Sequence, residues 1–179
     1  GGHPGNGKST ELNKIEYDEK LNAKYLIIKY SANDVLDIND VDIVDLLISM
    51  AFKILEQVDK KGITLADHLK KQLNEMEGFF HKKLKIEKIT QEGREGEIEV
   101  GTEAKAGFKL PFFVNLGAVV SSKIRMDSNV RKEIRKSYKL KITDLCNLVN
   151  DIIMNIKTHP NLSPQSDLLL IIDDLDKLE

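Results

Sequence analysis

Gly2, Gly5, Gly7, Lys8 and Ser9 stand at the spacing G-x-x-x-x-G-K-[ST], with Asn6 between two of the glycines and Thr10 directly after. These residue types suit a phosphate-binding loop. Glycines let the backbone take φ > 0 and bring its N–H groups against phosphate oxygens that a Cβ would obstruct. Lys8 supplies a compact positive charge for β- and γ-phosphates, and the Ser9 hydroxyl is placed to ligate Mg²⁺. Thr10 and its successors should open a helix whose N-terminal N–H groups and dipole face the same phosphates. The bland alternative is a glycine-rich turn that a lysine happens to follow.

A second group of chemistry-bearing residues lies near the other end. Leu168 to Ile172 is an apolar run followed at once by Asp173 and Asp174. That is the pattern of a buried parallel strand delivering carboxylates at its C-terminal edge. In phosphoryl transfer the first acid holds Mg²⁺ and the second orients or deprotonates the attacking water. Asp173 and Asp174 are expected in those roles in that order, with Lys8 as the catalytic cation. For Asp174 the alternative is an N-cap or turn acid.

Together, GHPGNGKSTEL and LLLIIDDLDKL resemble the bacterial P-loop ATPases of the additional-strand division, near the KAP and STAND groups that border the AAA+ proteins. The Asp-Asp-Leu-Asp-Lys ending is similar to the Asp-Asp-Leu-Asp-Arg of KAP proteins, and an Asp-Asp pair is usual in STAND proteins. Both motifs are short and cover about twenty residues. The resemblance implies an α/β fold, a three-layer P-loop sandwich whose parallel sheet runs 5-1-4-3-2, with the loop after strand 1 and the acidic pair ending strand 3. It also implies ATP and Mg²⁺ as cofactors and ATP-driven switching or remodelling in a homo-oligomer, with a protein effector or partner. No hydrophobic strand precedes Gly1 and five residues follow Asp174. The chain therefore reads as a piece cut between its motifs: either the numbering restarts on a longer protein, or the sheet is incomplete at both ends.

Three segments position these motifs. Residues 1–61 read as the N-terminal part of the core, 62–126 as an insertion of a helix and a β-hairpin, and 127–179 as a long helix with the acidic strand. An insertion is expected because about 160 residues separate Ser9 from Asp173, against a typical span under about 120. Ser9 to Asn22 reads as the first helix and Lys24 to Ser31 as a strand, which the resemblance implies is strand 2, beside Leu168–Ile172. Asn33 to Asp40 reads as a loop, and Asn39 or Asp40 as the N-cap of a helix running to Lys60. Asp40, Asp42 and Asp45 then read as solvated partners of the helix dipole. Thr64 to Asp67 resembles a capping box, with Gly78 a candidate break in the helix that follows.

From Glu97 to Leu110 apolar and polar residues alternate strictly, and Phe113 to Ile124 can be read as a returning strand. The expectation is an amphipathic hairpin packed on its own domain or a neighbouring subunit, with membrane contact and disorder as alternatives. The run Phe112 to Val120 is far short of the roughly twenty residues a spanning helix needs. Asn129 to Lys157 reads as one helix, bent near Lys141, with a basic first half. There a solvated face or subunit contact is favoured over a nucleic-acid surface.

Composition adds boundaries rather than chemistry. A net charge of -2 gives no global push toward nucleic acid or membranes. The lone Cys146 reads as a buried structural thiol, and the four histidines lack ligand spacing. The expectation is a cytoplasmic ATP-binding and ATP-hydrolysing module, the competing one a non-hydrolysing, nucleotide-gated scaffold.

Overall fold

Two apolar runs become the strands of the computed structural model, which describes residues 7–84, 109–159 and 167–175. They are β1 (Tyr25–Ser31) and β2 (Asp167–Asp173). They pair in parallel, with Tyr25 opposite Asp167 and Ser31 opposite Asp173, the neighbour relation expected for these segments. A pair of parallel strands is common to every α/β sheet and carries no strand order beyond itself. Side chains alternate across the sheet. Leu26, Ile28 and Tyr30 enter the main core, where Leu168, Leu170 and Ile172 pack beside them. The opposite face carries Lys29, Ser31, Ile171 and Asp173 by the same parity.

That second face meets α1 (Lys8–Tyr17), whose Asn13 and Glu16 accept from the Lys29 ammonium, Glu16 at 3.5 Å. The single helix expected over Ser9–Asn22 is divided. Asp18 turns extended, and its carboxylate caps the short α2 (Glu19–Asn22) by accepting from the N–H groups of Lys20 and Leu21. After β1 a further short helix, α3 (Ala32–Val35), occupies part of the expected loop, capped by Ser31.

The central helix is α4 (Ile43–Lys60), which touches β1 and the later helices. Its cap is Asp42 rather than Asn39 or Asp40: Asp42 accepts from the Val44 N–H while Asp45 accepts from the Asp42 N–H, a reciprocal pair. Helix α5 (Asp67–Leu84) begins later than the Thr64 reading implies and passes through Gly78 without a break. Asn155 explains the delay, accepting from the Ala66 N–H and donating to the Thr64 carbonyl, while the Thr64 N–H donates to His159. These bonds hold residues 64–66 outside the helix, against the end of a neighbouring one.

The returning strand expected over Phe113–Ile124 is instead helical, in α6 (Leu110–Met126). Pro111 lies in its first turn, where a missing N–H costs nothing. Phe113, Leu116, Gly117, Val120, Ser121 and Ile124 bury one helical stripe. The other arm of the expected hairpin, Glu97 to Phe108, lies outside the described residues, and Leu110 opens the helix. Gly117 is needed at a close approach, since a Cβ there would stand 2.3 Å from the Phe52 ring.

The expected long basic helix is two helices, α7 (Ser128–Lys139) and α8 (Ile142–Lys157), broken at Leu140 and Lys141. Two of its cations point inward. Arg131 meets Asp37 at 2.9 Å and Asp40 at 3.0 Å, and Arg135 meets Asp40 at 2.7 Å and also bonds Asp45. Asp40 and Asp45 are therefore ion-pair partners, not solvated dipole partners. One hydrophobic core receives residues from all three sequence segments, with the rings of Phe52, Phe80 and Phe113 in contact. Cys146 is half-buried rather than fully enclosed. Among the described residues no helix is long and apolar enough to cross a membrane.

Candidate functional site

The predicted phosphate loop is described only where it enters α1. Gly7 is the residue before the helix, with φ 71, and no side chain caps the helix there. A left-handed residue followed by uncapped first-turn N–H groups is the backbone form an anion can use. The backbones of Lys8, Ser9 and Thr10 form that first turn, and Thr10 is exposed. Gly2, Gly5 and Asn6 lie outside the described residues, as do the side chains of Lys8 and Ser9.

The C-terminal end of α1 is tied to α2, the Glu16 carbonyl accepting from Asn22 at 2.8 Å. Asn13 and Glu16 of α1 both accept from Lys29, and α1 touches both strands. The carboxyl edge of the sheet lies two residues beyond Lys29, at Ser31 and Asp173.

At that edge stands the acidic pair. Asp173 ends β2 opposite Ser31, and by parity it belongs to the face that α1 covers. Asp174 follows with φ 65, a conformation aspartate tolerates better than most residues. Its N–H donates to Asp173 Oδ1 at 2.9 Å, which fixes one carboxylate against the other residue's backbone. Its own Oδ2 accepts from the Ser31 hydroxyl at 2.7 Å. The Ser31 oxygen also accepts from the Asn33 N–H at 3.2 Å, capping α3.

The structure thus brings Asp173 and Asp174 together and adds Ser31, which sequence reasoning missed. A usable signal existed: Ser31 precedes Ala-Asn-Asp at the end of an apolar run, where a serine is a good helix cap. The half-buried carboxylate of Asp173 is a hard oxygen donor of the kind Mg²⁺ takes, so the donor chemistry fits. No group of three or more His, Cys, Asp or Glu side chains that could hold a metal occurs among the described residues.

Two larger clefts lie away from this edge. One, of about 530 Å³, sits between α3, α4 and α6 over Phe52 and Gly117. The other, of about 540 Å³, sits between α5, α7 and α8 over Phe79 and Tyr138. Neither is lined by Gly7, Ser31, Asp173 or Asp174. No protein-family model matches this chain, and no curated protein or solved structure matches it either.

Proposed function

We propose that the chain binds ATP with Mg²⁺ and hydrolyses it, as a P-loop ATPase module of the AAA+, STAND and KAP-like group. The observation that supports this reading is that two sequence-marked features share one sheet. The helix opened by Gly7 touches both strands and reaches Lys29, on the face to which Asp173 at the end of β2 belongs.

On this reading Lys8 and the amides of Gly5 to Ser9 take the phosphates, with Gly2, Asn6 and Thr10 shaping the loop. Ser9 and Asp173 would hold Mg²⁺, which neutralises charge on the β- and γ-oxygens when bound. Asp174 aligns the attacking water and takes its proton, while Ser31 sets where that carboxylate points. The module works in the cytoplasm within a homo-oligomer, where a neighbouring subunit supplies an arginine and a protein effector reads the nucleotide state.

A second reading is supported by one contact. The Ser31 hydroxyl ties Asp174 to the end of β1, a link that would equally hold the sheet edge together in a nucleotide-gated scaffold that does not hydrolyse. Nucleotide binding and Mg²⁺-dependent turnover separate the two. Lys8→Ala should abolish binding, and Asp174→Asn should keep ATP bound but uncleaved. Wild-type turnover by Asp174→Asn removes that residue from the mechanism, and a wild-type chain that ignores ATP ends both readings.

A further inference from the structure

The cations of α7 divide into two sets with different fates. Arg131 and Arg135 turn inward and are consumed by Asp37, Asp40 and Asp45. Lys132, Lys136 and Lys139 recur at i, i+4 and i+7 beside them on the exposed side, away from the stripe of Val130, Ile134 and Tyr138 that packs on the core. None of these three has a carboxylate within ion-pair distance among the described residues. The row extends about 10 Å along a helix whose inner face is held by ion pairs. It ends at the α7–α8 corner, where Leu140 is 94% exposed, Lys141 follows, and no side chain caps α8. Charge is segregated here: residues 109–141 carry nine Lys and Arg against only Asp127 and Glu133, in a chain of net charge -2. Asp127 is already engaged as the cap of α7.

We propose that this lysine face binds the phosphate backbone of duplex nucleic acid without reading its sequence. Evenly spaced ammonium groups leading to an uncapped helix N-terminus are donors that phosphate oxygens accept. Among the described residues the face exposes no ring on which the bases of a single strand could stack, because Tyr138 turns inward against Phe79 at 5.1 Å. A bilayer is disfavoured for a related reason: Val130, Ile134 and Tyr138 pack on the core, so α7 offers no apolar face to insert. The surface is separate from the nucleotide edge and does not rest on the ATPase reading.

The test is fluorescence anisotropy of a short labelled duplex of mixed sequence, titrated with the full chain over a range of salt. About three phosphate contacts imply that affinity falls roughly 40-fold between about 50 and 200 mM salt. Replacing Lys132, Lys136 and Lys139 together by Gln should weaken binding at low salt at least about tenfold and reduce the slope of log affinity against log salt by about one per lysine. Lys60→Gln, on an exposed part of α4, should change neither. Circular dichroism of the triple variant checks that the fold is intact. The proposal is overturned if the duplex is not bound at low salt, or if the triple variant binds it as the wild type does. It is equally overturned if vesicles containing an anionic lipid, and not the duplex, are captured in a lysine-dependent way.

Discussion

The Ser31 hydroxyl joins two parts of the chain at once, donating to Asp174 Oδ2 at 2.7 Å and accepting from the Asn33 N–H at 3.2 Å. Ser31→Ala removes both bonds. Loss of the α3 cap should cost about 1 kcal/mol of stability. Loss of the other bond removes the Ser31 hydrogen bond from the Asp174 carboxylate, so kcat for ATP should fall about tenfold with the nucleotide KM unchanged. Ser31→Thr, which keeps a hydroxyl, should restore both. A variant that loses stability but keeps kcat, measured where it is fully folded, would limit Ser31 to a structural role. The two aspartates were legible because an apolar run ending in acids is a local pattern. The Ser31 bond spans 143 residues of sequence and has no local signature. Asp174 also shows why the Asn substitution is a clean probe: asparagine tolerates positive φ as aspartate does, so the backbone at φ 65 need not move.

At the scale of elements, β1, β2, α4 and the helical character of α7 and α8 could be read from runs and periodicities. Helix α6 could not, because its sequence satisfies two periods. Val114, Leu116, Ala118 and Val120 alternate as a strand would, while Phe113, Leu116, Gly117, Val120 and Ile124 make a helical stripe. Packing against Phe52, Phe80 and the rest of the core decides between them. The clamp on α7 was illegible for another reason: its partners, Asp40 and Asp45, are about ninety residues away from the arginines. Asp45 is only 1% exposed, and its Oδ2 accepts from both Arg135 and the Asp42 N–H. Burial opposes the charge on Arg135, but the hydrogen bonds it donates to Asp45 and Asp40 outweigh it and raise its pKa. Arg135→Ala leaves a buried carboxylate without its cation and should cost about 3 to 5 kcal/mol in urea unfolding. A loss below about 1 kcal/mol would mean that water replaces the guanidinium. The clamp also carries a pH dependence. The Arg135 hydrogen bond holds the Asp40 carboxyl below the usual carboxylate range. A carboxyl depressed on folding contributes stability above its unfolded pKa of about 4 and loses it as pH falls through the lower folded value. Asp40→Asn should therefore flatten the acid limb of stability against pH, by a modest amount because Asp40 is 48% exposed.

For the whole molecule, the distribution of burial sets which parts open first. Helices α4, α5, α6 and α8 supply most of the core, and Phe80, Phe113, Ile54 and Ile152 are fully enclosed. The segment boundaries at 61 and 126 do not divide this core, since α5 and α6 enter it together with α4. The sheet is thinner. In β2, five successive apolar residues would be enclosed in a sheet covered on both faces, yet only Ile171 is buried. Local opening free energy follows apolar contact and hydrogen bonding. Amides of β2 and α1 should therefore exchange hydrogen well before those of α4 and α8, which should approach the limit set by global unfolding. The same measurement weighs the nucleotide reading. A ligand that contacts both the α1 terminus and Asp173 bridges two thinly buried elements and stabilises both. Mg²⁺-ATP at about one hundred times its Kd stabilises the binding state by about 2.7 kcal/mol. That corresponds to roughly hundredfold slower exchange in α1 and β2, while α4 and α8, already limited by global unfolding, gain no more than the global stability itself gains. Slowing confined to the α4–α6 cleft would place the ligand elsewhere, and equal protection of β2 and α4 without nucleotide would show that the sheet is held by contacts other than those described.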